Sequence, residues 1–409
     1  MSEPDTLGRL LRRTIAVVTA SRAEYGLCRP ILHAIREAPD FELRLMVCGM
    51  HLSQRYGYTV RRIEQDGFRI HDRIETLIAS EDSPEAIGKS MGAGISAFAR
   101  AFGEARPDIL MLLGDRYDML AAGLAALPFT MPIAHIHGGE LTEGAIDDAI
   151  RHSLTKMSHM HFVSTERHRD RVVQMGEQPK RVIVCGAPGL DAIRTTKPTP
   201  REDLERRIGL RLEPAPLLVT FHPTTLETAD VLQQCRALSA ALAGVRRTIV
   251  ATYPNADTMA HTVIDEIEGF AAAHANARIV KDLGTADYFG MMALSAAMVG
   301  NSSSGIIEAP SFRLPVVNIG NRQRGRLRAA NVIDCECEPT AIAAAIARAM
   351  SVEFRQGLAG LKNPYGDGHT AERVVAGLRS VALDRELVEK RFFDLPDVHK
   401  LLQTAMVAV

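Results

Sequence analysis

The feature that most constrains this chain is an alternation. Short apolar runs recur along it, each followed by a stretch with helical patterning. Thr14–Ala20, Glu42–Gly49, Asp108–Asp115, Pro132–Gly139, His159–Ser164 and Arg181–Gly186 form a first series. Pro216–His222, Arg246–Tyr253, Ala277–Asp282, Ala296–Asn301 and Leu314–Gly320 form a second. Runs this apolar are buried on both faces, and strands separated by helices pair in parallel, so the expectation is α/β. Between the two series, residues 194–203 carry two prolines and several polar side chains and read as a linker. The expected division is a first doubly wound domain over 12–193, a second over 204–378, and a helical segment over 379–409 that folds back onto the first. At 409 residues the chain exceeds the usual size of a single core, which agrees with two domains. In such pairs a ligand is expected in the cleft beside the carboxyl ends of the strands.

Composition excludes several classes. The formal net charge of -1 gives no reason to expect a nucleic-acid partner. The longest apolar stretch, Ala121–Ala134, is broken by Pro128 and Pro132, so no membrane span is expected. The N-terminal residues place acids before arginines and lack an apolar signal core, and the six cysteines are scattered, so a reducing cytoplasm is expected. Cys335 and Cys337 form a CxC without a second pair at zinc-site spacing, and no metal is assigned.

Polar side chains gather where the apolar runs end. Arg22 follows the first run at a strand-to-helix turn, where a helix N-terminus favours anions. Asp115 ends the run Leu110–Gly114 and suits either a helix cap or a cleft carboxylate. His135, His137 and Glu140 lie within six residues, and strand alternation would put both histidines on one face. Asp147 and Arg151 are four apart and share a helix face, either as a surface ion pair or as groups aimed together at a cleft. Three carboxylates in one domain suit proton transfer. In the second half His222 ends a strand. The segment Asn301-Ser302-Ser303-Ser304-Gly305 joins a strand to a helix carrying Glu308, in a form suited to phosphates and ribose. Arg322, Arg324 and Arg326 follow the last strand. Neither a P-loop nor a GxGxxG spacing is present.

Together, SRAEYG, LLGDRYD, HIHGGELTEGAIDDAIRH, TFHPTT, GNSSSGIIE and IGNRQRGR resemble, in order, the UDP-N-acetylglucosamine 2-epimerase family. HGGE, in place of an HxEAG pattern, points to the hydrolysing branch. The resemblance runs from about Thr14 to about Val375. It implies a GT-B-like fold of two Rossmann-like domains, a UDP-sugar substrate, no cofactor, and a homodimer or dimer of dimers. Carried over by motif, Asp115, Glu140, Asp147 and His222 are the expected catalytic residues. Arg22, His137, Arg151, Ser302, Ser303, Glu308 and Arg322 are the expected substrate and UDP contacts. One departure stands out: Leu27 occupies the position where the non-hydrolysing branch and the animal enzyme carry a lysine.

The implied reaction is anti elimination of UDP from UDP-GlcNAc, followed by hydration of the 2-acetamidoglucal to N-acetylmannosamine, in sialic-acid-type sugar biosynthesis. A non-hydrolysing epimerase and a GT-B glycosyltransferase are the rival readings. UDP-GlcNAc is favoured over the 2,4-diacetamido-2,4,6-trideoxy sugar of legionaminic-acid pathways by family frequency alone. Met50, Leu52, Met91 and Ile95 suit an apolar C6 pocket but fit a core role better.

Overall fold

A computed structural model describes residues 12–78, 83–142, 146–223, 231–254, 259–281 and 283–396. These form two compact units, each a parallel sheet of the Rossmann-like kind covered by helices.

In the first unit the strands are β1 (Arg13–Thr19), β2 (Phe41–Cys48), β3 (Ile70–Ile74), β4 (Ile109–Leu113), β5 (Ile133–Ile136), β6 (Met160–Val163) and β7 (Val182–Val184). Their order is β3-β2-β1-β4-β5-β6-β7, and every pairing is parallel. Alternation along the central strands builds two cores. Ile15, Val17, Ile109, Met111 and Leu113 pack against Tyr25, Ile31, Leu32 and Ile35 of the helix Arg22–Glu37. Ala16, Val18, Leu110 and Leu112 face the opposite way, against Phe98 and Phe102 of Pro84–Glu104 and Met119 and Ala122 of Tyr117–Ala126. Each such large side chain withdrawn from water contributes about 1.5–3 kcal/mol, which is why these runs outcompete their modest local propensities.

The second unit repeats the scheme with β8 (Leu217–Thr220), β9 (Ile249–Thr252), β10 (Ala277–Val280), β11 (Ala297–Gly300), β12 (Val316–Ile319) and β13 (Val332–Cys335) in the order β10-β9-β8-β11-β12-β13. Leu217 and Val219 pack on one face with Val231, Leu238 and Ile342, and Leu218 and Met298 on the other with Leu204, Phe289 and Met291. The carboxyl ends of β1, β4 and β5, and of β8, β11 and β12, carry the residues of interest.

Two strands escape the sequence pattern, β3 and β13. Both are sheet edges, and in the segment Ile70–Ile74 only Ile74 is buried. With one side of the ladder exposed, little apolar pressure shapes their composition; β3 is held partly by the Arg44–Asp72 ion pair at 2.7 Å.

The division into units also departs from the expected one. Residues 189–368 fall in the second unit, so the break comes at 188/189 rather than across 194–203. The expected linker is packed: it runs between the helices Gly189–Thr195 and Arg201–Ile208, and Thr199 donates its N–H to Ala286 O and its hydroxyl to Asp287. The chain returns to the first unit at His369, before the expected boundary at 378. There the helix Thr370–Ser380 buries Val374, Val375 and Leu378 in the core beside Arg22–Glu37. Within 381–396 the only helix is Arg385–Val388, and 397–409 lie outside the described residues.

Candidate active site

Site residues of the first unit come from β4, β5, β6 and the helix Ile146–Met157. β4 is fully buried and ends at Gly114, whose φ of 85° turns the chain so that Asp115 leaves the sheet. Asp115 is not a helix cap: the helix Tyr117–Ala126 is preceded by Arg116 with no side-chain cap. Instead Asp115 accepts from Arg151, which is only 4% exposed and also lies 3.7 Å from Asp148. Burial raises the pKa of Asp115, Arg151 opposes that rise, and the neighbouring Asp147 and Glu140 push it further up. Asp147 lies near enough to Asp115 to act on its carboxyl. The ion-pair partners of Arg151, however, include Asp115 and Asp148, and Asp148 had no motif to single it out.

The HIHGGE segment folds differently from simple alternation. β5 stops at Ile136, and His137 adopts a left-handed backbone with φ 69°, so the two histidines do not continue one strand face. His135 is fully buried. One ring nitrogen meets Gly114 O at 2.8 Å and the other Thr155 Oγ1 at 3.2 Å, and burial drives its pKa down to about 3. It is a neutral tie between β4, β5 and the helix Ile146–Met157, with both nitrogens engaged. His137 instead turns to Glu140, with Nδ1 2.6 Å from Oε1. Ser164, at the end of β6, donates to the same oxygen at 3.0 Å, and His168 Nδ1 stands 3.9 Å away. Gly139 is required here: its φ is 76°, and a Cβ would come within 2.4 Å of His168 O. That close approach seats Glu140 against β6 and the helix Glu166–Gln174.

Arg22 is exposed at the first position of its helix. The neighbouring Ser21 and Glu24 form a capping box, in which Ser21 Oγ accepts from Glu24 N and Glu24 Oε2 accepts from Ala20 N at 3.0 Å. Burial raises the Glu24 carboxyl to about 7. Leu27, at the lysine position, packs against the first core, so its chemistry is apolar. Leu52, Met91 and Ile95 likewise pack against the cores.

In the second unit the organising residue is Asn301, which is 2% exposed. Its Oδ1 accepts from His222 N at 2.7 Å and its Nδ2 donates to His222 O at 2.9 Å. Its own carbonyl accepts from Arg322 at 3.2 Å and from Gln323 at 2.8 Å. The ends of β8, β11 and β12 are thus joined through one side chain and one carbonyl. Burial, aided by Arg322, lowers His222 to about 3, so its imidazole is neutral near pH 7. Gly300, with φ 140°, passes so close to β8 that a Cβ would lie 1.9 Å from Thr220 O.

Ser302 caps the helix Ser303–Ile307 and lies 3.0 Å from Ser304 Oγ, which meets the Tyr288 hydroxyl at 2.6 Å. Ser303 opens the helix half-buried, and Glu308 follows it, near enough to Tyr288 to help raise the phenol, pushed up to about 12 chiefly by burial. Tyr288 gave no signal in the sequence, since it lies in an unremarkable helical stretch, and Gln323 was passed over between the arginines of IGNRQRGR.

Among the described residues, no group of three His, Cys, Asp or Glu side chains is arranged to hold a metal ion, and no helix is long and apolar enough to cross a membrane.

Comparison with known proteins agrees with this layout. The family model for UDP-N-acetylglucosamine 2-epimerase matches residues 33–379. The GDP/UDP-N,N'-diacetylbacillosamine 2-epimerase (hydrolyzing) of Campylobacter jejuni is 38% identical, over 94% of this chain and 100% of that protein. The UDP-N,N'-diacetylbacillosamine 2-epimerase (hydrolyzing) of Legionella pneumophila is 36% identical, over 92% and 98%. The UDP-N-acetylglucosamine 2-epimerase of Neisseria meningitidis is 32% identical, over 94% and 99%. Among solved structures, a UDP-GlcNAc 2-epimerase from Neisseria meningitidis bound to UDP-GlcNAc has a TM-score of 0.77 at 17% identity, covering 90% of this chain and 100% of that one. At that identity the structural likeness speaks for the GT-B-like fold alone. The match of the family model over most of the chain, with hydrolysing relatives aligned almost end to end, shows that this chain belongs to the UDP-N-acetylglucosamine 2-epimerase family, in its hydrolysing branch.

Proposed function

We propose that this protein releases UDP and a free 2-epimerised sugar from a UDP-2-acetamido-2-deoxy sugar. The observation that carries the reading is the gathering of Asp115, Glu140 and Asp147 around Arg151 and His137, with Asp115 raised by burial and by its acidic neighbours. A carboxyl raised in this way, set beside other carboxyl groups, is what a reaction needs when it removes and then returns a proton.

The first half-reaction breaks the C1–O bond, and the electron pair leaves with UDP. A carboxylate takes the C2 proton, and a C1–C2 double bond forms. Because no carbonyl adjoins C2 within the ring, departure of the diphosphate leads, and positive charge develops at C1. In the second half-reaction water adds its oxygen to C1 and gives up a proton to a carboxylate, while a carboxyl group delivers a proton to C2 with inversion. Arg322, Ser302 and Ser303 take the role of diphosphate contacts, Glu308 that of a ribose acceptor, and the neutral His222 that of a hydrogen-bonding partner.

For the sugar, we favour UDP-N,N'-diacetylbacillosamine, the 2,4-diacetamido-2,4,6-trideoxy compound named for the Campylobacter and Legionella relatives. UDP-GlcNAc is the second reading, supported by the Neisseria relative at 32% identity and by family frequency. Incubation with each UDP-sugar in deuterated water tests both levels. The expected result is free UDP and a manno-configured sugar carrying one deuterium at C2. Product that retains its original C2 hydrogen rejects the elimination, and a tenfold higher specificity constant for UDP-GlcNAc reverses the choice of sugar.

A further inference from the structure

We infer that Ser164 is a positioning residue for the reaction, holding Glu140 in the orientation and ionisation state in which it exchanges a proton. The inference rests on the proposed role of Glu140 in proton transfer. Ser164 ends β6 and is 2% exposed, and Thr165 after it caps the helix Glu166–Gln174 by accepting from His168 N. Its place is therefore set by sheet and helix together. Its hydroxyl donates to Glu140 Oε1 at 3.0 Å.

That oxygen also lies 2.6 Å from His137 Nδ1, while Ser164 Oγ to His137 Nδ1 is 3.3 Å. The consistent assignment has both Ser164 O–H and His137 Nδ1–H donating to Oε1. Two donors from different elements fix the rotamer of Glu140 and favour its ionised form. Other charged or titratable groups face Glu140 from the packed elements. Asp115 comes from the end of β4, and His168 and Arg171 from Glu166–Gln174, with Arg151 of the helix Ile146–Met157 near all three. His168 is held neutral near pH 7, lowered to about 4 mainly by burial, and at 3.9 Å it is too distant to replace the serine. Ser164 carries no charge, so removing it changes the hydrogen bonding of the carboxylate without changing the net charge of the site.

The test is kcat and KM as functions of pH for wild type, Ser164→Ala, Ser164→Thr and Glu140→Gln, with thermal melts of each. Ser164→Ala is expected to lower kcat about tenfold with KM unchanged, and to move the acidic limb of the kcat profile up by about half a pH unit, because a carboxylate that loses a donor protonates more readily. Ser164→Thr, which keeps the hydroxyl, is expected to restore both. Ser164→Cys, which keeps the volume and weakens the donor, supplies the same readout if the alanine variant does not fold. A kcat within twofold of wild type in Ser164→Ala, or a loss of rate with an unmoved limb and no rescue by threonine, overturns the inference. Wild-type turnover in Glu140→Gln removes the underlying reading and this inference with it. An inactive Glu140→Gln beside an unaffected Ser164→Ala removes the inference alone.

Discussion

Replacing Asn301 with alanine is the sharpest test of how the second unit is assembled. The side chain makes two hydrogen bonds to the backbone of His222, at 2.7 and 2.9 Å, in a setting where Asn301 is 2% and His222 5% exposed. Alanine removes one acceptor and one donor and leaves the opposing His222 groups without these bonds, away from water. A net bond is worth about 1 kcal/mol, and a buried group left unsatisfied costs about 1–3 kcal/mol, so the expected destabilisation is about 2–4 kcal/mol. The loss should lower the urea midpoint of the transition that reports on the second unit while its slope stays the same. Asn301→Asp retains the acceptor for His222 N and turns the donor toward His222 O into a second acceptor, so it should recover only part of the loss. Both variants keep the Asn301 carbonyl that anchors Arg322 and Gln323 but loosen the side-chain tie that sets its position, so calorimetry should show weaker UDP binding in both. A destabilisation below about 0.5 kcal/mol in Asn301→Ala, the range of an ordinary surface change, would refute the account of Asn301 as the tie between strand ends.

Four further outcomes are expected. Asp115→Asn, Glu140→Gln and Asp147→Asn should each lower turnover by about 100-fold or more with UDP affinity nearly unchanged, measured by product release and calorimetry, and Asp115→Asn should also lower the melting temperature because buried Arg151 loses its charged partner. Glu308→Ala and Arg322→Ala should weaken UDP binding itself, read by the same titration. Gly139→Ala should abolish turnover and lower the melting temperature, since the new Cβ meets His168 O at 2.4 Å at a backbone angle that also strains an alanine by about 1–2 kcal/mol. Glu177 concerns stability against pH: burial alone would raise its pKa, but donors from His161 at 3.0 Å, Lys156 at 2.6 Å and Lys390 at 2.7 Å bring it down to about 2. Burial lowers His161 while its bond to Glu177 opposes that fall, so the carboxylate is held by the ring and the two lysines together. A carboxylate depressed on folding stabilises above its unfolded pKa, so the stability difference between wild type and Glu177→Gln, at most about 3 kcal/mol, should be full above pH 5 and vanish as pH falls toward 2 in denaturant titrations.

The α/β class and eleven of the thirteen strands were legible in the sequence, because a strand buried on both faces must be apolar along its length. The edge strands β3 and β13 were not, since IHDRI and VIDC carry polar residues that an edge tolerates, whereas the other edges, β7 and β10, keep apolar runs. Asp115, Glu140 and Asp147 were singled out by the family resemblance, since each taken alone also suited a cap or a surface ion pair; the structure shows that Asp115 is not a cap. What each side chain does with its neighbours was decided by tertiary structure. His135 and His137 look alike in HIHGG, yet one is a neutral tie with both nitrogens used and the other, carried past the strand by a left-handed turn, holds Glu140. Residues 194–203 look like a linker, yet Thr199 fastens them to the helix Gly284–Leu294 at Ala286 and Asp287. Ser164 and Asn301 are small polar residues at strand ends, where turns and caps are their ordinary uses; only the close arrival of Glu140 and of His222 from other strands gives them theirs. Periodicity and local composition record which groups leave the solvent, whereas hydrogen-bond partners twenty-four and seventy-nine residues apart are chosen by how the sheets and helices pack.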